Sequence, residues 1–286
     1  MKRLLATTAV GLFLAAGPAL ADHDVWTILQ DFDITSGVPG DQNVINELTG
    51  LDVGVTQSGS NLANSADLVD PGAETGTTGD SYMVDQIFDE DQSVANTVTA
   101  AGHVTADQSG VGIVNLAQIA DAHGGTTDGD TYDIDQLASS DPGAEAGSQT
   151  VTNTVGGGAT GIGGSNQSGT VQVNALTITD SAGGTSTAGV YTVNQQVATV
   201  DDFDQFVNNN ATAGTVDGLV QTGTTKANLL TLGLTGQSGG ATATVTQNTS
   251  EGFDQSVRNV ATATGSAIDV TQSGSNAANV ITATTQ

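Results

Sequence analysis

Polar and apolar residues alternate with period two along most of this chain, as in Ile178-Thr179-Asp180, Val193-Asn194-Gln195, Val245-Thr246-Gln247 and Val257-Arg258-Asn259-Val260. Alternation built on β-branched residues and bounded by Gly, Asn and Asp predicts short strands of about five or six residues. No apolar stripe of helical period survives beyond the first 21 residues, so no long helix is predicted.

The alternation is itself periodic. Gln30, Gln57, Gln86, Gln108, Gln136, Gln167, Gln195, Gln221, Gln247 and Gln272 follow one another at intervals of 22 to 31 residues. A period of that size marks a stacked repeat architecture, in which each unit buries its face only against the next copy. Even units read Gln-[Ser/Thr]-Gly with Asn seven residues after the Gln, giving Asn64, Asn115, Asn174, Asn228 and Asn279. Odd units place Trp26, Tyr82, Tyr132 or Tyr191 four residues before the Gln, with Ala243 in the fifth copy. Each then passes through a variable acidic loop to a second Gln and Asn: Gln42/Asn46, Gln92/Asn96, Gln149/Asn153, Gln205/Asn209 and Gln255/Asn259.

The predicted fold is therefore an all-β solenoid of about ten strand-turn-strand rungs, arranged as five double repeats of about 54 residues. In the even rungs Ser-Gly is read as the start of the turn, with Gly59, Gly110, Gly169, Gly223 and Gly274 supplying backbone conformations that other residues resist. Rungs in parallel register place each side chain over its own copy. A primary amide carries both donors and an acceptor, so stacked Gln and Asn can bond along the axis as ladders.

Composition narrows the function. Residues 1–21 read as a signal peptide, with Lys2 and Arg3, an apolar stretch from Leu4 to Ala16 and an Ala19-Leu20-Ala21 cleavage site, leaving residues 22–286 as a single repeat domain. No later segment has the run of about 20 apolar residues that a membrane-spanning helix needs, so a secreted or surface-attached product without membrane insertion is expected. With cysteine absent, packing and hydrogen bonds must supply the stability. Beyond the signal peptide Lys226 and Arg258 stand against 31 acidic residues, a balance that excludes nucleic acid as a partner. Low aromatic content and high charge also fit disorder, but a disordered tail has no reason to keep its glutamines in phase.

The strand-Gln-x-Gly-turn-Asn-strand rung resembles the curlin repeat of the curli subunits, bacterial functional amyloids of biofilm matrix. Gln-Ser-Gly-Ser-Asn-Ala-Ala at Gln272 to Ala278 carries the likeness most fully, and residues 25–286 share it, with longer Gln-to-Asn spacing and looped odd rungs. The resemblance implies a β-solenoid, self-assembly into fibres that mediate adhesion and aggregation at the cell surface, and two kinds of helper: a minor nucleator subunit and outer-membrane export machinery.

Other chemistry is thinly represented. Asp128-Gly129-Asp130-Thr131-Tyr132-Asp133-Ile134-Asp135 gathers hard oxygen ligands of the kind calcium takes, without the glycine and terminal Glu of an EF-hand, and no other cofactor is expected. His23, His103 and His123 stand apart from one another, and no nucleophile elbow, phosphate loop or zinc spacing occurs, so an enzyme is not expected. A monomeric solenoid serving as an adhesin stalk or an ice-binding protein is the rival reading, motivated by Thr242-Ala243-Thr244, Thr262-Ala263-Thr264 and Thr282-Ala283-Thr284.

Overall fold

The computed structural model describes residues 25–32, 42–70, 80–88, 91–123, 130–138, 147–159, 161–182, 189–197, 203–235, 241–249, 253–265 and 267–285. The signal peptide read at 1–21 and the acidic loops between paired half-units lie outside them. All the described elements are strands, and they fall into five layers in chain order. Layer one holds β1 (Val25–Phe32), β2 (Gln42–Gly50), β3 (Val53–Leu62) and β4 (Ser65–Asp70); layer two holds β5 (Ser81–Phe88), β6 (Gln92–Ala100) and β7 (Val104–His123). Layer three holds β8 (Thr131–Ala138), β9 (Gly147–Gly156), β10 (Ile162–Gly163) and β11 (Asn166–Ala182). Layer four holds β12 (Gly189–Val197), β13 (Phe203–Ala213), β14 (Val216–Asp217) and β15 (Val220–Thr235). Layer five holds β16 (Ala241–Thr249), β17 (Phe253–Ala263), β18 (Ala267–Ile268) and β19 (Thr271–Thr285).

Every pairing is parallel, and like stacks on like. The first sheet runs β1-β5-β8-β12-β16 and the second β2-β6-β9-β13-β17, while β3 and β4 together, then β7, β11, β15 and β19, build the third. The protein is thus a parallel β-solenoid whose five layers are the five double repeats, with two strand-turn-strand units in each. Within a layer the long strand of the third sheet faces both others. The first half of β7 lies against β6, since Asn96 Nδ2 donates to Ser109 O at 3.0 Å, and its second half lies against β5, since Gln86 Nε2 donates to Leu116 O at 3.0 Å. Backbone pairing continues through the bend between the second and third sheets: Ala101 N donates to Gly50 O, Gly158 N to Gly102 O, Gly214 N to Gly158 O and Gly265 N to Gly214 O.

The core between the sheets is mainly aliphatic, with Tyr82, Tyr132, Tyr191, Phe88 and Phe203 as its largest buried side chains. Val84, Ile134 and Val193 of the first sheet meet Ala117, Ile119, Leu176, Ile178 and Leu230 of the third. Val94, Val151 and Val207 of the second sheet meet Val171, with Val44 and Val257 partly buried at the two ends of the column. Burying each such side chain contributes about 1.5–3 kcal/mol.

Two expectations are corrected here. Strands reach 20 residues in β7, because Ser-Gly begins no turn: Gly59, Gly110, Gly169, Gly223 and Gly274 all lie inside strands. Their role is steric, since a Cβ built at Gly169 would overlap Val207 Cγ1, and the same holds for Gly110 against Val151 and Gly223 against Val257. Glycine is what lets the valine column approach so closely. The bend sits instead at the Asn seven residues after the Gln. Asn115, Asn174, Asn228 and Asn279 have φ of 52°, 51°, 48° and 55°, the left-handed region that asparagine tolerates better than most residues.

Replacing Gly169 by Ala should lower the unfolding free energy by about 1–3 kcal/mol through overpacking. Combining it with Val207→Ala should cost less than the sum of the two single changes. Chemical denaturation followed by circular dichroism of the four chains reads the coupling directly; strict additivity would show that glycine and valine do not constrain one another.

Candidate assembly interface

Parallel register brings the 25 amides read from the sequence into five columns of five. In the first sheet Gln30, Gln86, Gln136, Gln195 and Gln247 are register partners. In the second sheet one column is Gln42, Gln92, Gln149, Gln205 and Gln255, and another is Asn46, Asn96, Asn153, Asn209 and Asn259. The third sheet supplies Gln57, Gln108, Gln167, Gln221 and Gln272. At its bend stand Asn64, Asn115, Asn174, Asn228 and Asn279, joined side chain to side chain. The ten recurring glutamines therefore form two ladders, because odd and even copies occupy different sheets.

Each ladder is closed by direct amide bonds. In the first, Gln86 donates to Gln30 at 2.7 Å, Gln136 to Gln86 at 2.7 Å, Gln195 to Gln136 at 2.8 Å and Gln247 to Gln195 at 2.7 Å. The Gln57 and Gln42 ladders follow the same sense, each later residue donating to the earlier one at 2.6 to 3.3 Å. Both Asn ladders run the other way, each earlier residue donating to the later one at 2.8 or 2.9 Å.

The remaining N–H capacity ties the sheets to one another. Gln136 Nε2 also donates to Asn115 O and Ala175 O, Gln167 Nε2 to Asn153 O and Asn210 O, and Asn174 Nδ2 to Gln196 O. Gln86, Gln136, Gln195, Asn96, Asn115 and Asn174 are at most 1% exposed. Buried amides left unmade would each cost about 1–3 kcal/mol, so every bond here removes a penalty as well as adding a link. Asparagine at the bend does two things at once: its backbone takes the left-handed turn and its side chain continues the ladder.

A sixth axial column holds the aromatics. Tyr82, Tyr132 and Tyr191 stack nearly parallel, with centroids 4.9 and 4.7 Å apart, the spacing of neighbouring strands. Their hydroxyls enter a buried acidic pocket that the sequence reading missed. Tyr132 donates to Asp121 at 2.9 Å and to Asp180 at 3.3 Å, Tyr191 to Asp180 at 2.5 Å, and Tyr82 to Asp80 at 3.3 Å. A sequence signal for it exists, since Asp70, Asp121 and Asp180 each stand six residues after the bend Asn.

Asp80, Asp121 and Asp130 are buried with one oxygen apiece within 4.8 Å of one another, a hard-oxygen set of the type that suits calcium. The run that suggested calcium is divided by the strand: Asp130 points in, Asp133 and Asp135 point out to solvent, and Asp128 lies outside the described residues. Burial, with the charges of Asp121 and Asp180 behind it, pushes the Tyr132 phenol far above its ordinary pKa. Tyr191 is raised by burial first and then by Asp180.

Elsewhere the acids are managed by register. Asp91, Ser148, Asp204 and Asp254 precede the second Gln of their layers, and Ser148 interrupts the carboxylates by donating its N–H and Oγ–H to Asp91 Oδ1 at 2.6 and 3.0 Å. Among the described residues no helix is long and apolar enough to cross a membrane. No protein-family model, curated protein or solved structure matches the chain.

Asn174→Gly keeps the bend but opens the ladder, and Asn174→Ala does both kinds of damage. The alanine chain should therefore be the less stable by about 1 kcal/mol or more, the cost of a left-handed non-glycine residue. Equal denaturation midpoints would separate the amide from the bend. The tyrosines give a pH signature whose sign follows from linkage. A phenol raised in the fold keeps its proton where the unfolded chain, with tyrosine near its ordinary value of about 10, releases it. Their stabilisation is complete below pH of about 10 and lost as pH climbs beyond it. Absorbance at 295 nm should show Tyr132 and Tyr191 ionising only with loss of the β signal; early, independent ionisation would contradict the buried column.

Proposed function

We propose that this protein is a secreted structural subunit that self-assembles into curli-like amyloid fibres, serving biofilm matrix, surface adhesion and aggregation. The observation that carries this reading is that all five ladders reach both outer layers. Their terminal members are Gln30, Gln42, Asn46, Gln57 and Asn64 at one end and Gln247, Gln255, Asn259, Gln272 and Asn279 at the other. Among the described residues β1, β2, β3 and β4 pair on one side only, as do β16, β17 and β19. Unpaired parallel edges are templates for another strand, and a heterologous contact of one end with the other does not close. The primary partner is another copy of the chain. A minor nucleator subunit and outer-membrane export machinery are the further partners that the curlin resemblance implies, and the site of action is extracellular or on the cell surface.

One observation favours the monomeric alternative of an adhesin stalk or ice-binding surface. Ser58, Ser109, Ser168, Thr222 and Ser273 form a hydroxyl row in register on the outer face of the third sheet, one per layer. Ordered hydroxyls at strand spacing suit a repetitive ligand lattice.

Purified chain lacking residues 1–21 is expected to form unbranched fibres by electron microscopy, to bind thioflavin T and to give reflections near about 4.7 and 10 Å. Protein that stays monomeric at high concentration and shows thermal hysteresis would decide for the alternative.

A further inference from the structure

Resting on the self-assembly reading, we propose that the five ladders encode the direction of assembly: each end of the stack is the chemical complement of the other, and a second copy docks in one orientation only. The three Gln ladders pass their donors toward layer one and the two Asn ladders pass theirs toward layer five. Layer one therefore ends in Gln N–H groups and Asn oxygens, and layer five in Gln oxygens and Asn N–H groups.

Gln247 shows the open valence directly. Its Nε2 donates to Gln195 Oε1 at 2.7 Å and to Asn228 O at 2.7 Å, while its Oε1 is shut off from solvent without a hydrogen-bond partner. Every earlier copy, from Gln30 to Gln195, has that same oxygen occupied by the next Gln. The group that fills it is a Gln N–H one layer further on, and layer one of a second copy presents one at Gln30.

Stacked in this way, Gln30 donates to Gln247, Gln42 to Gln255 and Gln57 to Gln272, while Asn259 donates to Asn46 and Asn279 to Asn64. A copy laid head to head continues none of these, because its strands then run antiparallel to those they meet and the parallel register that sets each ladder over its own continuation is lost.

The outer face agrees with this polarity. Arg258 occupies the register position of Ile45, and Glu47, two residues along on the same exposed face, becomes its diagonal neighbour across the junction. Diagonal pairs on one sheet face lie within reach of long side chains. Arg258 is one of the two cationic side chains beyond the first 21 residues, and it stands in the terminal layer.

The test is growth at single fibre ends. Wild-type fibres in one colour are extended by wild-type chain in a second colour mixed with a minor fraction of the labelled triple variant Gln30→Glu, Gln42→Glu and Gln57→Glu. Glutamate keeps the oxygens that accept from Gln86, Gln108 and Gln92 but offers no donor outward. The variant should add through its intact layer five and then stop that end. Its label should sit at fibre tips, elongation there should fall about tenfold or more, and the opposite end should keep the wild-type rate.

Slowing of both ends alike, of neither, or label spread along the fibre would overturn the proposal. If the triple variant is missing from fibres, Arg258→Glu decides. Slower elongation that Glu47→Arg restores in the same chain supports the junction, and an unchanged rate overturns it. Wild-type chain that forms no fibres at all refutes the self-assembly reading itself, an outcome distinct from each of these.

Discussion

Parallel, in-register stacking subjects the repeated buried positions of the described strands to one constraint: a side chain must tolerate its own copy about 4.8 Å above and below. Few side chains pass that test when buried. Valine and isoleucine pass because branched aliphatics nest, tyrosine because rings stack, and glutamine and asparagine because a primary amide is donor and acceptor at once. Isolated buried charges fail. The composition that at first reading suits a disordered chain is what this constraint selects.

The amides solve a second problem at the same time. A layer is held to its neighbours by backbone pairing, but nothing in that pairing joins one sheet to the sheet it faces. In the inner layers the spare N–H of a ladder residue reaches across to a carbonyl of the opposite sheet, as Gln136 does to Ala175 O and Gln167 to Asn210 O. Axial and lateral cohesion thus come from the same group, and a core only two side chains thick is enough. The tyrosine column is the exception, where phenols meet buried carboxylates and so make part of the fold sensitive to strong alkali.

What the sequence disclosed and what it hid follow from this. The amide ladders were legible because a group that must repeat in space must repeat along the chain, and all 25 predicted residues stand in columns. The bend was not, because glycine after a polar residue usually signals a turn, whereas Gly169 is small for the sake of Val207 in another sheet. That reason is invisible until the second sheet is placed. Reading Ser-Gly as a breaker also cut β7 and β11 in two and gave strands of half their length. Asp121 and Asp180 each stand six residues after a bend Asn and 11 before a tyrosine, but the match of carboxylate to phenol depends on which sheets face one another, and Tyr132 also reaches Asp180, 48 residues on. The division of the glutamines into two ladders turned on which sheet each half-unit joins, a choice that spacing alone does not make.

The translational sameness of the ladders has a further consequence. An inner layer receives from the layer before it what it hands to the layer after it: Gln136 accepts from Gln195 as Gln86 accepts from Gln136, and Asn115 donates to Asn174 as Asn64 donates to Asn115. The geometry therefore sets the shape of a layer but not the number of layers. A whole double repeat added or removed between the ends would leave the same two outer surfaces, so the length of the stack is a matter of how many times the gene repeats the unit and not of the geometry of a layer.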